Sequence, residues 1–95
     1  MGLSLDNVRL VAPDNIMTRS VDQTLVLLDI DSGQSFTLDP IGARVWTLLT
    51  TTGSAAATHE ALLTEFSADP ERLRADVNAM IQQLTEQGLL VAESA

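Results

Sequence analysis

His59 is the one histidine in the chain, and there is no cysteine beside it. A zinc site takes about four nitrogen, sulfur or oxygen ligands at suitable spacing, and nothing near His59 supplies them. One residue past an expected helix cap, it reads as a surface side chain. The lack of cysteine removes disulfides, thiolate ligands and thiol nucleophiles together. Asp29 and Asp31 stand two apart at the end of a strand pattern, so they share a side and could seat a cation. A hairpin turn uses Asp for its own backbone hydrogen bonds, and that structural role is the reading taken here. Asp31-Ser32-Gly33 echoes the Asp-Ser dipeptide whose serine carries the phosphopantetheine arm of carrier proteins. There the serine opens a helix, whereas Ser32 falls between two strand patterns. Asp39 and Asp69 each precede a proline and are taken up as helix caps. The chain has no glycine-rich phosphate loop and no nucleophile elbow. Catalysis has no residue set to rest on, and neither a cofactor nor a metal is expected.

The elements that would hold any site are built from 95 residues, the length of one domain. Apolar residues make up 45% of them, enough for a core and against disorder. Trp46, Phe36 and Phe66 are the only aromatics, so that core must be mostly Leu, Val, Ile and Ala. Net charge is −8, and the five cations (Arg9, Arg19, Arg44, Arg72 and Arg74) are all arginine. Phosphate backbones and anionic lipid demand a basic surface, so neither nucleic acid nor a membrane is an expected partner. No apolar run approaches the roughly 18 residues that span a bilayer. Met1 to Asp6 has neither the basic start nor the apolar stretch of a signal peptide. A cytoplasmic location is the expectation.

The first half reads as strands. Val8, Leu10 and Ala12 alternate with Arg9 and Val11 before Pro13-Asp14-Asn15 interrupts. Ile16 to Ser20 continues that strand or pairs as a short one, and Val21-Asp22-Gln23 suits a turn. Thr24 to Ile30 is the clearest strand, and Gln34 to Leu38 alternates polar with apolar. Asp31-Ser32-Gly33 between them suits a hairpin turn with a bulge, because glycine takes positive φ without a Cβ clash.

The second half reads as helices. Asp39-Pro40 starts the first, with Ile41, Val45, Leu48 and Leu49 at helical spacing and Gly53 as terminator. Ser54 to Ala57 reads as a linker or frayed turn, with Thr58 as the cap of a second helix bearing Leu62, Leu63 and Phe66. Asp69-Pro70 starts the third, with Leu73, Val77, Met80 and Leu84 as its core stripe, Ile81 beside it and Gly88 at its end. Leu89-Leu90-Val91 reads as a tail folding back, and residues 92–95 as frayed. Strands followed by helices give an α+β fold in one domain, residues 1–95. The expected architecture is winged helix-turn-helix-like, a three-stranded antiparallel sheet followed by three helices.

That architecture raises DNA binding, in which the last helix enters the major groove with basic residues. Here the third helix and its start carry Asp69, Glu71, Asp76 and Glu86 against Arg72 and Arg74, a net negative face. What remains is a sheet edge. Gln34 to Leu38 has no further strand after it in the first half, so its outer edge bears free backbone groups unless a loop or the N-terminal segment covers it. An open edge accepts an extended peptide as an added strand.

An ordered set of residues then carries a resemblance. Leu25-Val26-Leu27-Leu28-Asp29 precedes the turn glycine Gly33. Phe36-Thr37-Leu38-Asp39 leads into Ile41-Gly42-Ala43-Arg44-Val45-Trp46-Thr47-Leu48-Leu49. Asp69-Pro70-Glu71-Arg72-Leu73 with Asp76-Val77 follows, then Leu84 and Gly88-Leu89-Leu90. From about Asn15 to Val91 the chain resembles the PqqD-like family, the recognition elements of ribosomally made, post-translationally modified peptide pathways. Residues 1–14 match poorly. The resemblance implies a leader peptide docked as an extra strand on the third strand, against the third helix. It implies delivery of the precursor to a peptidase, cyclase or other modifying enzyme, with no chemistry by the family member itself. Stand-alone members of lasso-peptide pathways are the nearer likeness, and pyrroloquinoline quinone biosynthesis the weaker one. Carried onto this chain, the groove lies between Gln34, Ser35, Phe36, Thr37 and Leu38 and one flank of the third helix. Arg74, Asn78, Ile81 and Thr85 form the more apolar flank and are the expected one, ahead of Asp76, Gln83 and Gln87. Gly42 fits either close approach of its helix to the sheet or a frayed first turn.

Overall fold

A computed structural model describes residues 8–67 and 69–94. The reading of Met1 to Asp6 therefore lies outside the described residues, as does that of Ala95. Eight elements follow in order: β1 (Val8–Val11), β2 (Ile16–Val21), β3 (Thr24–Asp29), β4 (Ser35–Leu38), α1 (Pro40–Thr52), α2 (Ala55–Glu65), α3 (Pro70–Glu86) and β5 (Val91–Ser94). The antiparallel sheet β2-β3-β4 followed by three helices is the α+β architecture the sequence predicts.

Two hairpins set that sheet. Asp22 takes a left-handed φ of 57° in the two-residue link that pairs Val21 with Thr24. At the second turn Gly33 takes φ 77°, and its N–H donates to the Asp29 carbonyl at 2.8 Å. Asp29 anchors this turn with its side chain. Its Oδ1 accepts from the Asn15 side-chain amide at 2.9 Å and from the Asp31 N–H at 3.0 Å. Partial burial opposes ionisation of Asp29. The hydrogen bonds from Ser32, Asn15 and Asp31 outweigh that cost and hold its carboxyl below the ordinary carboxylate value. Ser32 spends its hydroxyl inside the turn, where Oγ accepts from the Gln34 N–H at 3.2 Å. The turn thus engages the Asp29 carboxylate and the Ser32 hydroxyl, the structural role the sequence reading gave this segment.

The helices begin and end on the expected chemistry at two of three places. Asp39 accepts from the Gly42 N–H at 2.7 Å, Pro40 opens α1, and Gly53 at φ 69° returns its N–H to the Leu49 carbonyl. Asp69 caps α3 through the Glu71 N–H. At the C-terminus of α3, Gly88 donates to the Thr85 carbonyl and Leu89 to the Leu84 carbonyl, a paired closure built on the positive φ of Gly88. The start of α2 differs from expectation. Ser54, not Thr58, is the cap and accepts from the Ala57 N–H, and the three alanines are the first helical turn. Alanine is the best helix former and serine as good a cap as threonine, so the helix runs back to Ser54. Thr58 is buried one turn in, where its hydroxyl donates to the Ser54 carbonyl at 2.8 Å.

The C-terminal tail also differs. Residues 91–94 pair with β1 as a second, two-stranded antiparallel sheet, Val8 opposite Ser94 and Val11 opposite Val91. Val91 to Ser94 carries no strand signal of its own, and its partner lies some eighty residues earlier. Leu89 and Leu90, swung inward by Gly88, deliver it there.

One core joins both sheets and all three helices: Leu10, Leu25, Leu27, Trp46, Leu49, Leu62, Val77, Ile81, Leu84, Leu89 and Leu90 are among its buried members. Trp46 is 4% exposed. His59 is buried as well, against its expected surface place, with Nε2 3.0 Å from the Pro70 carbonyl. That bond joins α2 to the start of α3 and accounts for the ring's polar demand.

Candidate functional site

β4 is an edge strand, with β3 on one side. Among the described residues no strand pairs with its other side, and β1 pairs with β5 instead. The register fixes what this edge offers. Leu25, Leu27 and Leu28 stand opposite Leu38, Phe36 and Ser35. The Asp29 N–H donates to the Gln34 carbonyl at 2.9 Å, so Gln34 turns its carbonyl toward β3. Backbone direction alternates along a strand. Phe36 and Leu38 therefore also point inward, while the N–H and C=O groups of Ser35 and Thr37 point to the open edge. The sequence left that parity undetermined.

Side chains alternate too. Phe36 and Leu38 are half-buried against the core, as are their β3 neighbours Leu25 and Leu27 to a greater degree. A strand added beside β4 would turn every second side chain to that same face. There it would meet a cleft of about 650 Å³. Thr37 and Leu38 form its β4 wall, and Asp39, Ile41, Gly42 and Val45 its α1 end. Leu62 and Phe66 close it from α2, and α3 contributes Leu73, Asp76, Val77, Met80 and Gln83. The floor is apolar. Gly42 sits at its α1 corner, where an added Cβ would lie 3.2 Å from Asp39 Oδ1 and 3.4 Å from the Leu38 Cβ. Close approach, one of the two readings of Gly42, fits this geometry, and what it approaches is the strand-to-helix corner.

The α3 residues in the cleft are not the expected ones. Ile81 is buried in the core, and Thr85 is half-buried with its hydroxyl donating to the Gln82 carbonyl. Arg74 and Asn78 are exposed and lie outside the cleft. At about 3.6 residues per turn, Val77, Ile81 and Leu84 form the buried stripe of α3. Leu73 and Met80 fall on its β4 side, half-buried and lining the cleft, with Asp76 and Gln83 next around the helix. Of the stripe expected from the sequence, Leu73, Val77, Met80 and Leu84, all four line the cleft, which opens on the flank of Asp76 and Gln83 and not on that of Arg74 and Asn78. Seven-residue spacing of Leu73 with Met80, and of Asp76 with Gln83, was the signal available.

The region between the strand edge and α3 is also the region that matches known proteins. The family model described as coenzyme PQQ synthesis protein D (PqqD) matches residues 24–90. The chain belongs to the PqqD family. Those residues contain β3, β4 and all three helices, hence both walls of the cleft. Among solved structures, the PqqD-family chain resembles TbiB1 in complex with the TbiA(beta) leader peptide. Identity there is 28% and the TM-score 0.80, over 84% of this chain and 93% of that one. It shares its fold with lasso peptide synthetase B1 complexed with the leader peptide, at 24% identity and TM-score 0.81 over 87% of this chain and 98% of that one. No curated protein matches the chain.

Proposed function

We propose that this chain binds the leader of a ribosomally made precursor peptide as an added strand on β4, and presents that precursor to a modifying enzyme. The observation that carries the proposal is the outward backbone of Ser35 and Thr37 at an edge that no described strand pairs, bordering an apolar cleft with room for several side chains. Backbone hydrogen bonds would supply affinity and the cleft would supply selectivity. Two structurally similar proteins were solved with leader peptides, which supports the same use here. The enzyme is a leader peptidase or another tailoring enzyme, and the chain itself performs no chemistry. The reading places it in the cytoplasm, where precursors are made; no helix among the described residues is long and apolar enough to cross a membrane. No observation favours the DNA-binding alternative, because Glu71, Asp76 and Glu86 are exposed along α3.

The test is a fluorescence titration with the N-terminal half of the short precursor encoded in the same gene neighbourhood. Saturable one-to-one binding, little weakened by added salt, is expected. Absence of binding, with steeply salt-dependent binding of duplex DNA in its place, would overturn the proposal.

A further inference from the structure

The cleft is apolar except at its rim, and the rim is of one sign. Among the described residues, Asp39 and Asp76 are the charged side chains that line it, and no cation does. The two carboxylates differ in what they are already doing. Asp39 holds the α1 cap, with Oδ1 2.7 Å from the Gly42 nitrogen. Asp76 is exposed on α3 and takes part in no side-chain hydrogen bond or ion pair among the described residues, where the single ion pair is Arg44 with Glu65. It stands beside Val77 and one helical turn before Met80, both of which form the apolar lining.

We propose that Asp76 is a specificity-determining residue: it selects leaders with a lysine or arginine on the same face as the apolar side chain seated over Val77 and Met80. The inference rests on the strand-addition reading above and names the class of peptide that reading would admit. Strand geometry makes it specific. Side chains on one face of an added strand recur every second residue, at about 6.7 Å. Asp76 and Met80 are separated along the helix by about 6 Å. A basic residue at an even offset, two or four positions from the apolar anchor, therefore reaches Asp76, whereas one at an odd offset points away from the cleft. A chain with net charge −8 attracts cationic peptides in general. That diffuse attraction has no preference for one offset, and any acidic residue would contribute to it equally.

The test selects from a displayed library of random fifteen-residue peptides on four proteins: wild type, Asp76→Asn, Asp76→Lys and Glu86→Gln. Glu86 lies outside the cleft lining, so its variant matches the charge change of Asp76→Asn without touching the site. Wild type and Glu86→Gln should return peptides with an apolar anchor and a basic residue at one even offset. Asp76→Asn should keep the anchor and lose the basic preference, and Asp76→Lys should replace it with Asp or Glu. A selected peptide should bind Asp76→Asn about two- to fivefold more weakly than wild type, the range an exposed ion pair supplies. The proposal is overturned if Asp76→Asn returns the same basic preference as wild type, or if Glu86→Gln loses it equally. It is also overturned if wild type selects an anchor with no basic residue at a fixed offset; strand addition would survive those results. Failure of strand addition looks different: wild type would select no anchor, or its peptides would bind Thr37→Pro undiminished.

Discussion

Proline scanning of β4 separates the edge that binds from the edge that folds. Proline removes one backbone N–H and fixes φ near −65°, a change that an edge strand tolerates where the N–H faces outward. At Thr37 that N–H points to the open side, so the β3–β4 ladder keeps its bonds and the variant should fold with close to parent stability. A bound leader would lose a donor and keep a desolvated carbonyl. Leaving such a group unpaired costs about 1–3 kcal/mol, or roughly 5- to 150-fold in dissociation constant. At Phe36 the N–H points inward to the Leu27 carbonyl. Phe36→Pro should therefore unfold more readily than Phe36→Ala, by about the same 1–3 kcal/mol, because the unpaired carbonyl now lies inside the sheet. Phe36→Ala is the necessary reference, since the half-buried ring contributes packing of its own. Thermal unfolding by circular dichroism, with a fluorescent-leader titration at a temperature where each variant is folded, reads both effects. If Thr37→Pro folds and binds as tightly as the parent, docking on β4 is wrong. If it unfolds and Phe36→Pro does not, the assigned parity is wrong.

Two further outcomes follow from the core and the turn. Trp46→Ala should cost about 3–5 kcal/mol in denaturant unfolding, because a buried indole leaves a cavity that neighbouring leucines cannot fill; loss below 1 kcal/mol would show that the ring is not packed in the core. Asp29, held below its ordinary value of 3.8, contributes stability that is fully present above that pH and is lost as pH falls through its lower folded value. The melting temperature of the parent should then fall toward that of Asp29→Asn as pH drops from 5 to 2, and parallel curves would contradict the hydrogen-bonding account of the turn.

Most of the fold was legible because its signals are local. Asp39-Pro40 and Asp69-Pro70 mark helix starts, Gly33 and Gly88 need positive φ, and β3 is apolar enough to be a central strand. What escaped the sequence depended on distant partners or on rotation about a helix axis. β5 exists because Leu89 and Leu90 are buried and β1 is waiting, and neither fact shows in Val91 to Ser94. His59 looks like a surface residue until the Pro70 carbonyl is placed beside it. The β4 half of the site was readable as an edge, though not its parity, which needed the Asp29-to-Gln34 bond. Which flank of α3 borders the cleft was not legible: a stripe of Leu73, Val77, Met80, Ile81 and Leu84 is wide enough for its centre to be set on either side. Local capping chemistry had two acceptable answers before α2, Ser54 and Thr58, and the helix-forming alanines between them decided for the longer helix.

The central claim is that a peptide hydrogen-bonds to the outward backbone of β4, and amide hydrogen exchange on the free and leader-saturated protein measures it directly. The Ser35 and Thr37 amides, which no described strand pairs, should exchange quickly in the free protein and slow at least tenfold with leader bound. The Phe36 and Leu38 amides, already in the β3 ladder, should change far less. Binding with no added protection at Ser35 and Thr37, and protection confined to the helices, would contradict strand addition on β4.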